Sequence, residues 1–347
     1  MKYEPAINRA LLLQTVRRAY GLPVSDLLFV PVGVPSLCYA LRCEGQTPSY
    51  FLKLWPDVRA SRANTLRRDI SLPLTRAIYQ RGIYPHVPYP LPTREGALWA
   101  QFSDTPGSLF PYLAGSSAPS CWPQPPGLVW EQVARILARL HRSTATLTDV
   151  LPPREVFDIA FDADLEVGLS RIERIGPRER PGLRHLRELT LPKREAIVAQ
   201  LTRLRRLQHT VQRRDGPFVL CHTDMGGDNL LVSDQGQISI LDWDDATVAP
   251  PEHDVQAALG PHLARFLAAY LEAGGARPLQ LDHFAFYLLR RYLHDFTVRL
   301  LRILEENTTD EQDDDMLAGM QAHGFSQWAA LDQTLDGIAV ALRQLNL

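Results

Sequence analysis

Lysine is nearly absent from this chain. The 347 residues contain 37 lysines and arginines together, and the only lysines are Lys2, Lys53 and Lys193. The 39 acidic residues balance this charge to a formal net value of −2. A chain without an excess of one sign has no general attraction to nucleic acid or to anionic membranes. Because lysine is so rare in this chain, a lysine within an apolar strand is easy to notice, and Lys53 is one.

Cysteine and long apolar runs are also scarce. The four cysteines are Cys38, Cys43, Cys121 and Cys221, and their spacing fits neither a CxxC pair nor a compact zinc site. No run approaches the ~18 apolar residues that indicate a membrane span, and no signal peptide is evident. We therefore expect a protein of a reducing, cytoplasmic compartment.

Strand-forming segments dominate the first third of the chain. Residues 6–20 have helical apolar spacing that ends at Gly21. Five strands are expected, two around a turn at 32–36 and three at 49–55, 96–102 and 108–113, the last two joined by a turn at 104–107. A helix is predicted at about 62–81, with Pro73 marking a kink or its first turn.

The composition changes after residue 113. Residues 114–127 are rich in Ser, Pro and Gly and predict a linker. Helical spacing follows at 129–141, in an arginine-rich insertion at 155–215 and over 260–347, where the acidic run 305–315 is expected to be a solvated loop. We therefore predict an α+β chain with domains at 1–113 and 114–347: a small five-stranded antiparallel sheet lobe and a larger, mostly helical lobe. Ligand sites favour such domain boundaries.

The segment CHTDMGGDNLLVSDQGQISILDWDD carries the sharpest chemical signal. Gly226 and Gly227 predict an irregular loop between Asp224 and Asn229, and a hairpin turning at 233–236 brings the chain back to Asp242. The three oxygen-bearing side chains can then converge. Such a set suits Mg²⁺ and leaves a carboxylate to accept a proton from an attacking hydroxyl. The alternative is that these residues only form turns.

The pattern H-x-D-x-x-x-x-N followed by L-D-W resembles the catalytic signature of the aminoglycoside phosphotransferase and choline-kinase-like family, relatives of protein kinases. The resemblance implies a bilobal protein-kinase-like fold, ATP or GTP as phosphoryl donor, and Mg²⁺. It also implies a role for each matching residue: Asp224 as catalytic base, Asn229 and Asp242 as Mg²⁺ ligands, His222 and Asp254 as supports of the loop, and Asp244 beside a second metal or the substrate.

Lys53 lies in the apolar segment YFLKLW, and burying an ammonium group is costly unless it is paired. By resemblance, this lysine contacts the α- and β-phosphates and pairs with an acid on the following helix. The expected partner is Asp69, one methylene shorter than the Glu usual in the family. The alternative is a solvent-facing lysine on an edge strand.

Two further segments would surround the nucleotide by resemblance. Residues 30–41 stand where a phosphate-covering loop belongs, with Gly33 and Ser36 as candidate contacts, although a single glycine is a weak signal. Residues 109–115 stand at the hinge, with Phe110, Tyr112 and Leu113 as candidates for the adenine pocket. The alternative for residues 30–41 is an ordinary hairpin turn. The alternative for residues 109–115 is that their aromatic side chains only pack in the core.

A late helix offers a candidate surface for the acceptor. Tyr287, Arg291, His294 and Asp295 are three or four residues apart or adjacent, so they are expected to share one helix face. An acid such as Asp295 would attract an ammonium group. The alternative is a solvated helix face.

The resemblance implies transfer of the γ-phosphoryl group of ATP to a hydroxyl of a small polar or cationic molecule. The expected acceptor is an aminocyclitol or aminoglycoside antibiotic, spectinomycin first. Alternatives are a metabolic kinase acting on choline, homoserine, methylthioribose or a sugar, and a nucleotide-binding pseudokinase. The pair His253–Asp254 also permits a metal phosphohydrolase, but the sheet-rich first third argues against that all-helical fold.

Overall fold

The computed structural model describes residues 4–32, 36–45, 47–56 and 59–345, without the side chains of residues 59–66. The described chain forms two compact units. One contains the residues up to Arg154 together with Phe218–Ala249 and Ala257–Ala276. The other contains Glu155–Pro217, Pro250–Gln256 and the chain from Arg277 onward. The domain boundary predicted at residue 113 stays a prediction.

The first unit contains the predicted five-stranded antiparallel sheet, in the order β1-β2-β3-β5-β4. Its strands are β1 (Asp26–Val30), β2 (Leu37–Arg42), β3 (Tyr50–Leu54), β4 (Ala100–Phe102) and β5 (Thr105–Pro111).

One turn of this sheet differs from the prediction. Phe102 pairs with Thr105, so the chain reverses at Ser103 and Asp104 rather than over 104–107. Ser103 takes the positive φ of 53° that the turn requires. Gly107 instead lies inside β5, where a Cβ atom would stand 2.4 Å from Leu54 Cδ2. The glycine therefore serves close packing and not the turn.

The two faces of the sheet have different partners. Helix α1 (Arg9–Tyr20) ends at Gly21, whose left-handed φ of 71° allows its N–H to bond Arg17 O. Its residues Leu12 and Val16 form a core with Leu52 and Leu54 of β3. Because successive side chains of a strand point to opposite faces, Lys53 lies on the other face.

Helix α2 (Arg59–Gln80) packs on that second face, where Leu72 joins a cluster with Trp55 and Phe110. Pro73 lies in the interior of this helix and not in its first turn. Proline has no N–H, so the carbonyl of Asp69 loses its usual helical donor. The burial of Leu72, Leu74 and Ile78 around the proline stabilises the helix despite that loss.

The rest of the first unit consists of two helices and two short hairpin-like pairs. Helices α3 (Pro126–Arg142) and α8 (Leu263–Glu272) pack together. Strand β6 (Val219–Cys221) pairs with β9 (Thr247–Ala249), and β7 (Leu230–Val232) pairs with β8 (Ile238–Ile240) around the predicted turn at 233–236. The linker after β5 joins this hairpin, since Ser116 and Val232 exchange backbone hydrogen bonds of 2.9 and 3.0 Å.

The second unit is helical, as predicted for the insertion and the end of the chain. Its helices are α4 (Asp162–Glu173), α5 (Pro181–Thr190), α6 (Arg194–Val211), α7 (Glu252–Val255), α9 (Leu281–Leu301), α10 (Asp310–Met320), α11 (Ser326–Ala329) and α12 (Leu331–Gln344).

The prediction of a solvated loop at 305–315 is wrong. Thr309 and Gln312 form a capping box that begins α10 inside the acidic run. The acids of the first turn lie at the positive end of the helix dipole, where negative charge is favourable. Asp313 is completely buried, where Arg180 and Asn307 contact its carboxylate.

The described residues include helices of up to 22 residues. Within that part of the chain, no helix combines the length and the apolar character that crossing a bilayer requires.

Candidate active site

The loop after β6 is held to the end of β8 by His222. The imidazole is 1% exposed, and its Nε2 lies 2.7 Å from Leu241 O. Its Nδ1 accepts a hydrogen bond of 3.3 Å from the backbone N–H of Asp224. Both contacts are satisfied by the tautomer that carries its proton on Nε2. His222 therefore joins the start of the loop to the residue before Asp242, and its role as a support of the catalytic loop stays a prediction.

Asn229 closes the same loop. Its amide Nδ2 donates to Asp224 Oδ2 at 2.9 Å and to Asp224 O at 3.0 Å. The backbone N–H of Leu241 donates to Asn229 O at 2.8 Å. The β7–β8 hairpin thus places Leu241 beside Asn229, which itself bonds to Asp224. The convergence of the Asp242 carboxylate with these two side chains stays a prediction.

Lys53 lies between two carboxylates. Its Nζ is 2.8 Å from Asp242 Oδ1 and 2.8 Å from Asp244 Oδ2. Burial favours the neutral amine, but the Asp244 and Asp242 charges outweigh it and raise the pKa of Lys53 above its ordinary value. For Asp242, burial raises the pKa, but the nearby Lys53 ammonium prevails and holds it below its ordinary value. Lys53 is therefore a paired cation, not a solvent-facing one.

The expected pair between Lys53 and Asp69 is not the one in this structure. The Asp69 side chain is 63% exposed and accepts a hydrogen bond of 3.2 Å from Arg68 Nε. Helix α2 instead contacts the acidic residues at 242–245 through two other side chains. Ser71 Oγ donates to Asp244 Oδ1 at 2.9 Å, and Arg67 forms an ion pair with Asp245. Two residues rotate a helix by about 200°, so Asp69 points away from the side on which Ser71 meets Asp244.

Ser71 was not found from the sequence. A serine inside a helix gives no local sign of a partner, and Asp244 lies 173 residues further along the chain. Both oxygens of Asp244 are engaged by Ser71 and Lys53. Its predicted place beside a second metal or the substrate stays a prediction.

Two residues of the site have left-handed backbone conformations that are rare outside glycine. Thr223 has a φ of 75° and Asp242 a φ of 57°. Such conformations cost roughly 1–3 kcal/mol each and concentrate at functional sites. Thr223 directly precedes the predicted base Asp224, and Asp242 is itself a predicted metal ligand.

The candidates around the nucleotide have diverse environments. Gly33 lies outside the described residues, and Ser36 is buried just before β2. Phe110 packs in the core with Trp55, whereas Tyr112 is exposed and Leu113 is half-buried beyond the end of β5. Their roles at the phosphates and the adenine stay predictions.

The remaining candidates belong to the second compact unit. Asp254 is buried on α7, and its role as an anchor of the loop stays a prediction. On α9, the exposed Arg291 and His294 flank the half-buried Asp295, whose carboxylate lies 3.3 Å from Arg291 Nε and 3.5 Å from His294 Nδ1.

Tyr287 does not share that face of α9. It is 1% exposed and packs against His253, with ring centroids 4.0 Å apart. At 3.6 residues per turn, eight residues rotate a helix by about 80° beyond two full turns. Tyr287 and Asp295 therefore point in different directions, and a shared surface through Tyr287 is wrong.

The residues of the first unit fit a bound Mg²⁺. Asp224, Asn229 and Asp242 offer carboxylate and amide oxygens, the ligands that this cation prefers. The Asp242 side chain is 45% exposed, and in this structure its counter-charge is Lys53. A carboxylate that is accessible and already paired with a cation is suited to exchange that partner for a metal.

Comparison with known proteins identifies the family. The family model described as the phosphotransferase enzyme family (APH) matches residues 37–289, more than half of the chain. The chain belongs to this phosphotransferase family. The match includes Lys53, the loop from His222 to Asn229 and the acidic residues at 242–245.

Solved structures have the same fold. A spectinomycin phosphotransferase in complex with ADP and spectinomycin is 19% identical, with a TM-score of 0.75 over 95% of this chain and 100% of that one. A choline kinase from Cryptosporidium parvum is 13% identical, with a TM-score of 0.59 over 94% and 98%. An aminoglycoside 2′-phosphotransferase in complex with GDP is 14% identical, with a TM-score of 0.57 over 95% and 99%. The predicted protein-kinase-like fold is confirmed.

Proposed function

We propose that this phosphotransferase moves the γ-phosphoryl group of ATP to a hydroxyl of an aminocyclitol or aminoglycoside, with spectinomycin as the first acceptor to test. The observation that carries the proposal is a pair of contacts in one compact unit: Lys53 pairs with Asp242, Asn229 bonds to Asp224, and the backbone N–H of Leu241 bonds to Asn229 O between them. Phosphoryl transfer depends mainly on positioning and charge stabilisation, and these residues supply both.

Each residue has a distinct part in the proposed reaction. Lys53 binds the α- and β-phosphates, and Asn229 and Asp242 hold Mg²⁺. When bound, the metal neutralises charge on the phosphate oxygens. Asp224 accepts the proton of the attacking hydroxyl, and its hydrogen bond from Asn229 fixes the direction of its carboxylate.

The acceptor class rests on fold similarity. The spectinomycin phosphotransferase aligns over nearly all of both chains, which supports an aminocyclitol. The choline kinase has the same fold, which supports a metabolic hydroxyl acceptor as the second candidate. The GDP bound to the 2′-phosphotransferase makes GTP a second donor to test.

The test is turnover of ATP and GTP with Mg²⁺ against spectinomycin, other aminocyclitols, aminoglycosides, choline, homoserine, methylthioribose and simple sugars. Asp224→Asn should lower kcat by roughly 10²–10⁴, with nucleotide affinity nearly unchanged, because a general base acts chiefly in the transition state. Asp234→Asn is the matched control, since Asp234 is exposed at the tip of the same hairpin. Equal turnover by Asp224→Asn and wild type would refute the base, and turnover with metabolic acceptors alone would refute the antibiotic class.

A further inference from the structure

The contact between helix α2 and Lys53 is indirect in this chain. Asp69, the acid expected to pair with Lys53, points to solvent. Asp244 stands against the ammonium instead, although it lies 191 residues further along the chain, just after β8. The helix is linked to Lys53 only through that carboxylate among the described contacts, by the hydroxyl of Ser71.

The two carboxylates beside Lys53 differ in accessibility. The Asp242 side chain is 45% exposed, whereas that of Asp244 is 10% exposed. Asp244 uses one oxygen for Lys53 and the other for Ser71, so it is fixed from both sides. Asp242 can therefore exchange Lys53 for another cation, whereas Asp244 stays with the lysine.

Ser71 is well placed for such a contact. It is 4% exposed, and Arg67 lies one turn earlier on the same helix face, paired with Asp245. On the neighbouring face, Arg68 stacks on Trp99 with its guanidinium carbon 4.0 Å from the ring centroid, and Leu72 joins the Trp55 cluster. Packing therefore fixes the helix rotation at which Ser71 meets Asp244.

We propose that Ser71 is a positioning residue and that the relay Ser71–Asp244–Lys53 replaces the direct ion pair between Lys53 and an acid of α2. The relay orients the Lys53 ammonium toward the phosphates of the nucleotide and leaves Asp242 for the metal. This inference rests on the proposed function for its catalytic consequence, but the relay itself is a property of the folded chain.

The test compares Ser71→Ala with Ser71→Thr, which keeps the hydroxyl, and with Thr75→Val. Thr75 is the matched control because its buried hydroxyl donates to Ser71 O, within its own helix. The loss of a hydrogen bond to a charged group lowers an equilibrium constant or a rate constant by roughly ten- to hundredfold. Ser71→Ala should lower kcat/KM for ATP by at least about tenfold, Ser71→Thr should restore most of it, and Thr75→Val should not reproduce the loss.

A second readout does not depend on activity. Hydrogen–deuterium exchange of the free protein should be faster over residues 241–247 in Ser71→Ala than in Thr75→Val or wild type, and Mg·ADP should bind more weakly by calorimetry. Unchanged exchange and unchanged kcat/KM in Ser71→Ala would overturn the relay, as would a larger loss in Asp69→Ala. A wild-type protein that turns over no nucleotide, yet shows the exchange difference, would refute the proposed function while supporting the relay.

Discussion

Acid should weaken the second compact unit through His253. This imidazole packs on Tyr287, and its Nε2 lies 3.0 Å from Arg290 Nη2. The guanidinium can only donate, so His253 must accept and must be neutral. Arg290 also bonds Glu155 at 2.8 Å, which holds the guanidinium in place. Protonation would set two cations against each other in a partly buried cluster.

The expected magnitude follows from the pKa of His253. Burial first and the Arg290 charge second lower this pKa from 6.5 to about 4. Between these values the unfolded chain binds more protons than the folded one, so stability is lost as the pH falls through 6.5 toward 4. At 1.36 kcal/mol per pH unit, the loss of unfolding free energy between pH 7 and pH 5 is about 2 kcal/mol. A change of that size lowers Tm by about 4–7 °C in a unit of this length.

The assay is thermal unfolding of wild type and His253→Gln at pH 7 and pH 5. Glutamine keeps an acceptor for Arg290 and does not titrate, so wild type should lose about 4–7 °C more than the variant on acidification. His209→Gln is the control, because His209 is exposed near the end of α6. Parallel losses in wild type and His253→Gln would refute the reasoning.

Two other substitutions have defined outcomes. Asp242→Asn should abolish the Mg²⁺-dependent part of nucleotide binding, because the amide keeps the left-handed backbone accessible but removes the charge; unchanged Mg·ATP affinity by calorimetry would contradict the metal role. Asp313→Asn should destabilise the fold by about 2 kcal/mol, because the half-exposed Arg180 would lose its charged partner and the buried side chain would lose a charge-assisted hydrogen bond. The exposed Asp315→Asn is its control in thermal unfolding, and equal Tm values for the two variants would exclude the buried pair as the cause.

The sequence predicts most of the fold because most helices and strands are encoded by local signals in their own residues. Helix α1 ends at a glycine, α3 has an apolar stripe, and the β7–β8 hairpin turns where glycine permits it. The acidic run was misread because charge density suggests a loop, whereas the capping box of Thr309 and Gln312 starts a helix there. The short capping signal outweighs composition.

The contacts of the candidate site also include some that local spacing predicts and some that it does not. His222, Asp224 and Asn229 lie within one loop, so their spacing is enough to predict that they meet. The partner of Lys53 depends on the rotation of α2, which packing around Trp55 and Trp99 decides. Local spacing does not predict contacts between residues that are far apart in the sequence. For that reason the contact of Ser71 with Asp244 was missed.

The backbone bridge between Ser116 and Val232 has a mechanical consequence. The N–H of Tyr112 is bonded to Ser49 O in the sheet, and Ser116 is bonded to the strand that follows Asn229. Leu113, Ala114 and Gly115 therefore form the whole span between the two attachments, roughly 10 Å when extended. A Cβ at Gly115 would lie 2.7 Å from Val232 O, so even this span has little room for a larger residue. Along this connection, a displacement of the five-stranded sheet relative to β7 has to be taken up within these three residues.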